Sequence, residues 1–482
     1  MLTRLFVLSF VALLAAGGGG PVLHASVPAN DSAIVHVLNR LAYGPRPGDV
    51  ERVKSMGVQQ WIDQQLAPSR IDNSALDARL QRLETLALDS ETIQREYMGP
   101  AMAERRKRRL ENPEAAPTEP AMRSDPETPR VPGNEVQRKA RQVVADVEEA
   151  KLLRAVYSER QLEEVLVDFW FNHFNVFAGK GATRTYITEY EREAIRPYVL
   201  GSFRDMLGAT AKSPAMLFYL DNWLNSGAAG AKPQRRSAGL NENYARELLE
   251  LHTLGVDAGY TQDDIVNVAK AFTGWTMQPR QGTGFVFLAP RHDRGEKRIL
   301  GHTIKAGGGI DDGERVLDIV ANHPATARHI ATKLAIRFVN DHPPVALIDR
   351  AAARFAATHG DLREVTRTIL TSPEFLADES YRAKVKTPLE FVASALRATG
   401  ADIRTAQPLA RTLRDTGMPL YFCQPPTGYD ETASTWVSAG ALVSRMNFAI
   451  DLSKNAVRGV RVPLSEEQTV ALKIGAPEFQ RQ

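Results

Sequence analysis

Cysteine is almost missing from this 482-residue chain, where Cys423 stands alone. No internal disulfide can form, so buried apolar surface has to hold the fold, and 43% hydrophobic residues can supply a large core. A charge excess is lacking too. Sixty Lys and Arg face 57 Asp and Glu, for a formal net charge of +3. That balance disfavours bulk binding to nucleic-acid phosphates. After residue 25 no apolar run reaches the ~20 residues that a spanning helix needs. Several catalytic signatures are also absent: the GxSxG elbow, the Walker phosphate loop, the CxxCH haem attachment and the EF-hand pattern. Gly307 to Gly309 precede a helical stretch, but no phosphate-binding Lys and Ser follow, so a loop is expected there. Cys423 has no neighbour that would orient a base toward it and reads as a small buried hydrophobe.

What is present begins with MLTRLFVLSFVALLAAGGGGPVLHAS. Arg4 gives a positive start, Leu5 to Ala16 a short apolar core, and Ala25 a small residue before a cut. Residues 1–25 are expected to be a secretory signal peptide, which implies a periplasmic or secreted protein with no stable membrane span after cleavage.

Helical periodicity dominates the remainder. Ile34, Val37, Leu38 and Leu41 share one helical face, as do Leu162, Val165, Leu166 and Phe169. Residues 265–272 and 327–338 repeat the pattern. Ser213-Pro214, His323-Pro324, Ser372-Pro373 and Thr387-Pro388 each read as a cap followed by proline at the first helical position. Thr261 with Asp264 resembles a capping box. The expected fold is mainly α, one large helical domain over 30–97 and 136–480, with a small β-hairpin near 285–304. Residues 98–135, rich in proline and charge, are expected to form a disordered insertion. Arg105 to Arg109 make a basic cluster inside it, read either as a solvated helix end or as contact with an anionic surface.

The densest chemistry lies in NENYARELLELHTLG, residues 241–255. On an α-helix Asn243, Glu247 and Glu250 fall within roughly 60° of each other, Arg246 flanks them, and His252 lies roughly 140° from Glu247. Neither HExxH nor ExxH spacing occurs. A ligand set built on Glu247 and Glu250 must therefore borrow a histidine from elsewhere. His173 in LVDFWFNHFNVF is one candidate, on the apolar side of its helix like His252. His292 and Asp293 in PRHDRGEKRILGH are another, although an Asp-stabilised turn is the plainer account. His302 is a weaker candidate, and His36, His323, His329, His342 and His359 read as structural.

With these segments assembled, the chain resembles the bacterial domain of unknown function 1800 family. The resemblance rests on LNRLAYGPRPGDVERVKSMGVQQWIDQQL, FWFNHFNVF, NENYARELLELHTLGVDAGYTQDDIVNVAKAFTGWT, HDRGEKRILG, HPATARHIATKLAIRFV and QPPTGYD, in that order. It implies a secreted, mainly helical protein and no particular reaction. It also suggests partnership with a second exported family similar to sulfatases and phosphatases.

Three functions are open. The leading one is an exported hydrolase with a site between helices, in which His173, Glu247, Glu250, His292 and Asp293 hold a divalent metal that activates water. Without a metal, a glutamate serves as general base, Arg246 holds an anionic substrate group, and His252 stands beside them. The alternative is a non-catalytic envelope protein that binds or assists an exported partner, with Arg246 paired internally and the histidines in the core. A haem protein using His173 or His252 as axial ligand ranks last.

Overall fold

The computed structural model describes residues 31–111, 135–227, 239–256, 258–278, 284–463 and 467–482. Residues 1–30, which include the expected signal peptide, and residues 112–134 lie outside the described residues. The fold is mainly helical, with three two-stranded antiparallel sheets among the described residues. One continuous cluster of buried apolar residues runs from Ile34 to Ile474, and a small satellite joins Ile93, Met98 and Val143.

The apolar periodicities translate directly into packing. Ile34, Val37, Leu38 and Leu41 are all buried, as are Leu162, Val165, Leu166 and Phe169. The Glu135–Tyr157 helix is enclosed in its second half, where Val147, Ala150, Leu152 and Leu153 are buried together with Asp146, Glu148, Glu149 and Lys151. It packs against Thr183–Glu189, Pro388–Ala398 and Gln407–Asp415. A helix buried on every side must carry paired charges. Lys151 accordingly lies 2.7 Å from Asp168, and Glu149 reaches Arg82 at 2.5 Å.

Most of the expected caps form. Ser213 Oγ accepts from Ala215 N–H, His323 Nδ1 accepts from Ala325 N–H, and Thr261–Asp264 and Thr387–Glu390 close full capping boxes. Ser372-Pro373 departs from expectation. No helix follows it, and Ser372 Oγ accepts from Phe375 N–H in a turn.

Two details go beyond the expectation. The single hairpin divides into two sheets. Val286–Phe287 pairs with Trp275–Thr276, while Lys297–Ile299 pairs with His302–Ile304. The second is a hairpin with Leu300 (φ 49) and Gly301 (φ 79) as a two-residue turn, both in the left-handed region. Leu300 is held there by its N–H, which donates to Asp264 Oδ1 at 2.7 Å.

Residues 98–111 of the expected insertion are helical. Met98 closes a π-wound segment, Ile93–Met98, and Gly99–Glu111 continues as a helix. AMAERRKRRLE has no proline after Pro100 and consists largely of strong helix formers. Met98 and Ala101 are buried, which anchors this helix to the rest.

Candidate functional site

NENYARELLELHTLG does not form one straight α-helix. Asn241 Oδ1 accepts from Asn243 N–H, and α-winding runs over Asn243–Glu247. The chain then widens into a π-wound turn, Leu248–His252. Such bulges leave the i→i−4 ladder and concentrate at functional sites. A helix end also leaves carbonyls without partners inside the helix.

Here several of those carbonyls find partners nearby. Thr253 Oγ1 donates to Leu248 O at 2.6 Å, and Gly255 N–H, at φ 96, donates to Leu249 O at 3.2 Å. The last two take imidazoles from other helices. His329 Nε2 lies 3.2 Å from Leu251 O, and His173 Nε2 lies 3.1 Å from His252 O. A carbonyl can only accept, so both Nε2 atoms carry the hydrogen. Each Nδ1 is then a lone-pair nitrogen, and His173 Nδ1 has no partner among the described residues.

Three segments thus deliver His173, His252 and His329 to one junction, with ring centroids 6.3 Å apart for His173–His252 and 6.1 Å for His173–His329. Phe174 packs on two of them, at 4.5 Å from His173 and 5.1 Å from His252. Burial, then the charge of Lys333, lowers all three. His252 falls to about 3, His329 to about 4, and His173 lies well below the ordinary histidine value. Lys333 is itself lowered by burial, against the pull of Glu431 and Asp430. All three imidazoles are therefore neutral at pH 7. His252 is thus uncharged there and a weak base.

His292 belongs elsewhere. Its Nδ1 donates to Thr273 O at 2.9 Å, and its Nε2 faces Asp312 Oδ2 at 3.2 Å. Lys297 is 0% exposed and reaches the same Asp312 oxygen at 2.8 Å while donating to Asp293 O and Gly295 O. Asp293 Oδ1 accepts from Gly295 N–H at 2.9 Å, which is an Asx turn. This buried triad ties the loop before the hairpin to the Asp311–Ala321 helix.

The residues proposed to share a metal therefore occupy separate places. His173 Nε2 serves a carbonyl, His292 serves Thr273 and Asp312, and Glu250 pairs with Arg246 at 3.4 Å. Among the described residues no group of three or more His, Cys, Asp or Glu could hold a metal ion. Even the three clustered imidazoles are poorly disposed, because tetrahedral Zn–N bonds of ~2 Å would draw ring centroids to about 5 Å.

The acidic face of the motif is also divided. Arg246 is shared between Glu250 at 3.4 Å and Glu242 at 3.5 Å, and it donates to Gln262 at 3.2 Å. It is thus engaged by its own surface network, as is Glu250. Glu247 differs. It is half-buried and, among the described residues, makes no hydrogen bond or ion pair. Burial raises its carboxyl, the charge of Glu250 adds to this, and Arg246 opposes both.

Sequence reasoning missed the surroundings of Glu247. Tyr219 is raised by burial and by the charges of Cys423 and Glu247, which places these three in one neighbourhood. Burial pushes the Cys423 thiol up to about 11, so it is no thiolate at pH 7. Tyr219 OH donates to Gln424 O at 2.6 Å. The QPPTGYD loop is clasped by the end of the Gln161–His173 helix and the residues after it. Asn175 Nδ2 donates to Cys423 O (3.0 Å) and Pro425 O (2.8 Å). Asn172 exchanges hydrogen bonds with Tyr429, 2.8 Å from Nδ2 to its O and 2.7 Å from its N–H to Oδ1. The two asparagines in FWFNHFNVF were the available signal, because buried amides need partners. His329 and Lys333, one turn apart in HIATK, were the signal for the junction.

Three of the segments quoted for the family resemblance, those holding His173, His252 and His329, thus meet around one helix end. A family model described as "Protein of unknown function (DUF1800)" matches residues 36–480. No curated protein and no solved structure matches the chain. With that match spanning nearly all of its length, the chain belongs to the DUF1800 family.

Proposed function

We propose that the chain is an exported enzyme, a hydrolase, in which Glu247 is the general acid–base. The observation that supports this reading is the isolation of that carboxyl. Glu242 and Glu250 on either side of it are paired to Arg246, while Glu247 is half-buried, unpaired among the described residues and raised. A carboxyl shifted toward neutrality moves protons better at pH 7 than an ordinary one. In the hydrolytic step Glu247 takes a proton from the attacking water and returns it to the leaving group. The neutral histidines, on this reading, brace the carbonyl end of the same helix and so fix the direction of Glu247. Arg246, Glu250, His252 and the metal set carry no step in it.

The test is a panel of chromogenic carboxylic, phosphate and sulfate esters and glycosides, read with the native chain, Glu247→Gln and Glu250→Gln. The expected result is turnover lost by at least 100-fold in Glu247→Gln and nearly unchanged in Glu250→Gln. Equal activity in the native chain and Glu247→Gln removes the reading.

One observation favours the second reading, an envelope protein that docks an exported partner. Leu442, Val443, Met446 and Ile450 form an exposed apolar stripe along the Ala439–Ser453 helix. Contiguous apolar surface of this kind marks interaction sites. The sulfatase- or phosphatase-like partner suggested by the resemblance belongs to this proposal. Co-expression with such a partner, followed by size-exclusion chromatography of the native chain and Met446→Glu, separates the two readings.

A further inference from the structure

A cavity of about 800 Å³ opens between the Gly99–Glu111 helix, the start of Glu135–Tyr157 and the loop leading into Thr183–Glu189. These three segments bring Arg105, Arg106, Arg141 and Arg184 to its wall. No Asp or Glu is among its lining residues. Among the described residues none of the four guanidinium groups has an ion-pair or hydrogen-bond partner. Arg105, Arg106 and Arg141 are exposed at the mouth, whereas Arg184 is half-buried, where arginines such as Arg196 and Arg204 pair with Glu164 and Glu314. Two acids of the neighbouring elements have other partners. Glu189 accepts from Ser90 N–H and Oγ–H, and Glu111 faces Lys107 at 3.8 Å.

Arg184 is the most telling of the four. Half-buried and unpartnered, it is lowered by burial and by the charge of Arg105. Holding like charges around one concavity costs repulsion that a bound anion would remove. The same field would concentrate anions at the opening. Guanidinium forks match tetrahedral oxyanions in bidentate geometry. Met98, Met102 and Phe218 add an apolar wall, and the volume falls within the range of small-molecule sites.

We propose that this cavity binds a compact polyanion carrying two or more phosphate or sulfate groups, held by Arg105, Arg106, Arg141 and Arg184. The site is separate from Glu247 and its proposed chemistry, so either can fail without the other.

The test is isothermal titration of the full chain at low salt with two probes, inorganic pyrophosphate and a disulfated disaccharide. Binding of one or both, weakened by added NaCl, is expected, and the tighter probe names the source of the anion. Arg141→Gln with Arg184→Gln should raise Kd at least tenfold, whereas Arg411→Gln, on an exposed face outside the cavity, should leave it unchanged. Without probe, Arg184→Gln should melt at or above the native temperature, because it removes an unpartnered charge. Failure of both probes to bind, equal binding in the double variant, or a ligand-free melting point several degrees below native would each overturn the assignment.

Discussion

At the scale of single residues, carboxyl groups with similar burial are driven in opposite directions by their neighbours. Glu148 is buried beside an exposed guanidinium, Arg414, at 3.7 Å, and burial pushes it up to about 7. Glu191 is buried as deeply. There desolvation also works upward, but Lys151, Arg196 and Arg154, with the Tyr421 hydroxyl at 2.5 Å, hold it down to about 2. The linkage signs therefore differ. Glu148 is raised above its unfolded value of 4.5, so its stabilising contribution is present below pH 4.5 and is lost as pH rises through about 7. Replacing it should help above that window. Glu148→Gln is expected to raise stability at pH 8 by about 2 kcal/mol and to change little at pH 4.5, read from urea midpoints. Glu191 is depressed, so its contribution is present above pH 4.5 and is lost as pH falls through about 2. Glu191→Gln is expected to cost about 3–5 kcal/mol at pH 7, because it leaves buried cations uncompensated. In this contrast Glu247 sides with Glu148, because burial raises both carboxyls.

At the scale of elements, the clasp between Asn172, Asn175 and residues 423–429 converts two helical motifs into one neighbourhood. It requires close approach. A Cβ on Gly428, at φ 74, would lie 2.3 Å from Asn172 O, while one on Gly417, at φ 91, would meet nothing within 4 Å. Both positions are left-handed, so both substitutions carry the strain of an L-residue there, of order 1 kcal/mol. Only Gly428→Ala adds a collision with backbone. It is expected to cost about 2–3 kcal/mol more than Gly417→Ala in thermal or urea unfolding, and to shift the Tyr429 and Cys423 NMR signals. Elements of this chain were legible where side chains state their local role. The Thr261–Asp264 and Thr387–Glu390 boxes and the apolar stripe of 327–338 follow from capping chemistry and period alone. The π-wound turn at Leu248–His252 was not legible, because an α-period carries no mark of where the ladder slips. The split of the hairpin was hidden for another reason. Val286–Phe287 chooses Trp275–Thr276, a partner set by tertiary packing around the buried Trp275.

At the scale of the whole molecule, the sequence showed which residues were chemically rich but not which of them meet. His173 and His252 read equally well as pocket or core, and their helices' faces could not say that His329 and Lys333 would join them. His292 looked like a ligand at a turn tip until Asp312, nineteen residues after Asp293, closed over it. The assembled histidines nevertheless give the fold one global property. His36 falls to about 4, lowered by burial and then by Arg40, and joins His173, His252 and His329 below the ordinary value of 6.5. All four are depressed on folding, so their stabilising contribution is complete above pH 6.5 and drains as pH falls through about 4 toward 3. The unfolded chain binds these protons first, which makes stability fall with pH across that range. Paired carboxylates such as Glu191 and Glu390, each held to about 2, add to the loss only below pH 4.5. The decline is therefore expected to begin near pH 6.5, earlier than carboxylates alone would allow. Urea midpoints measured from pH 6.5 to pH 4 in Glu148→Gln, where the opposing contribution is gone, should fall steadily. Adding His329→Gln, whose amide N–H can still donate to Leu251 O, should make the fall between pH 6.5 and 4 shallower by about one proton's worth of slope. An unchanged slope would mean that His329 is not held neutral by this core.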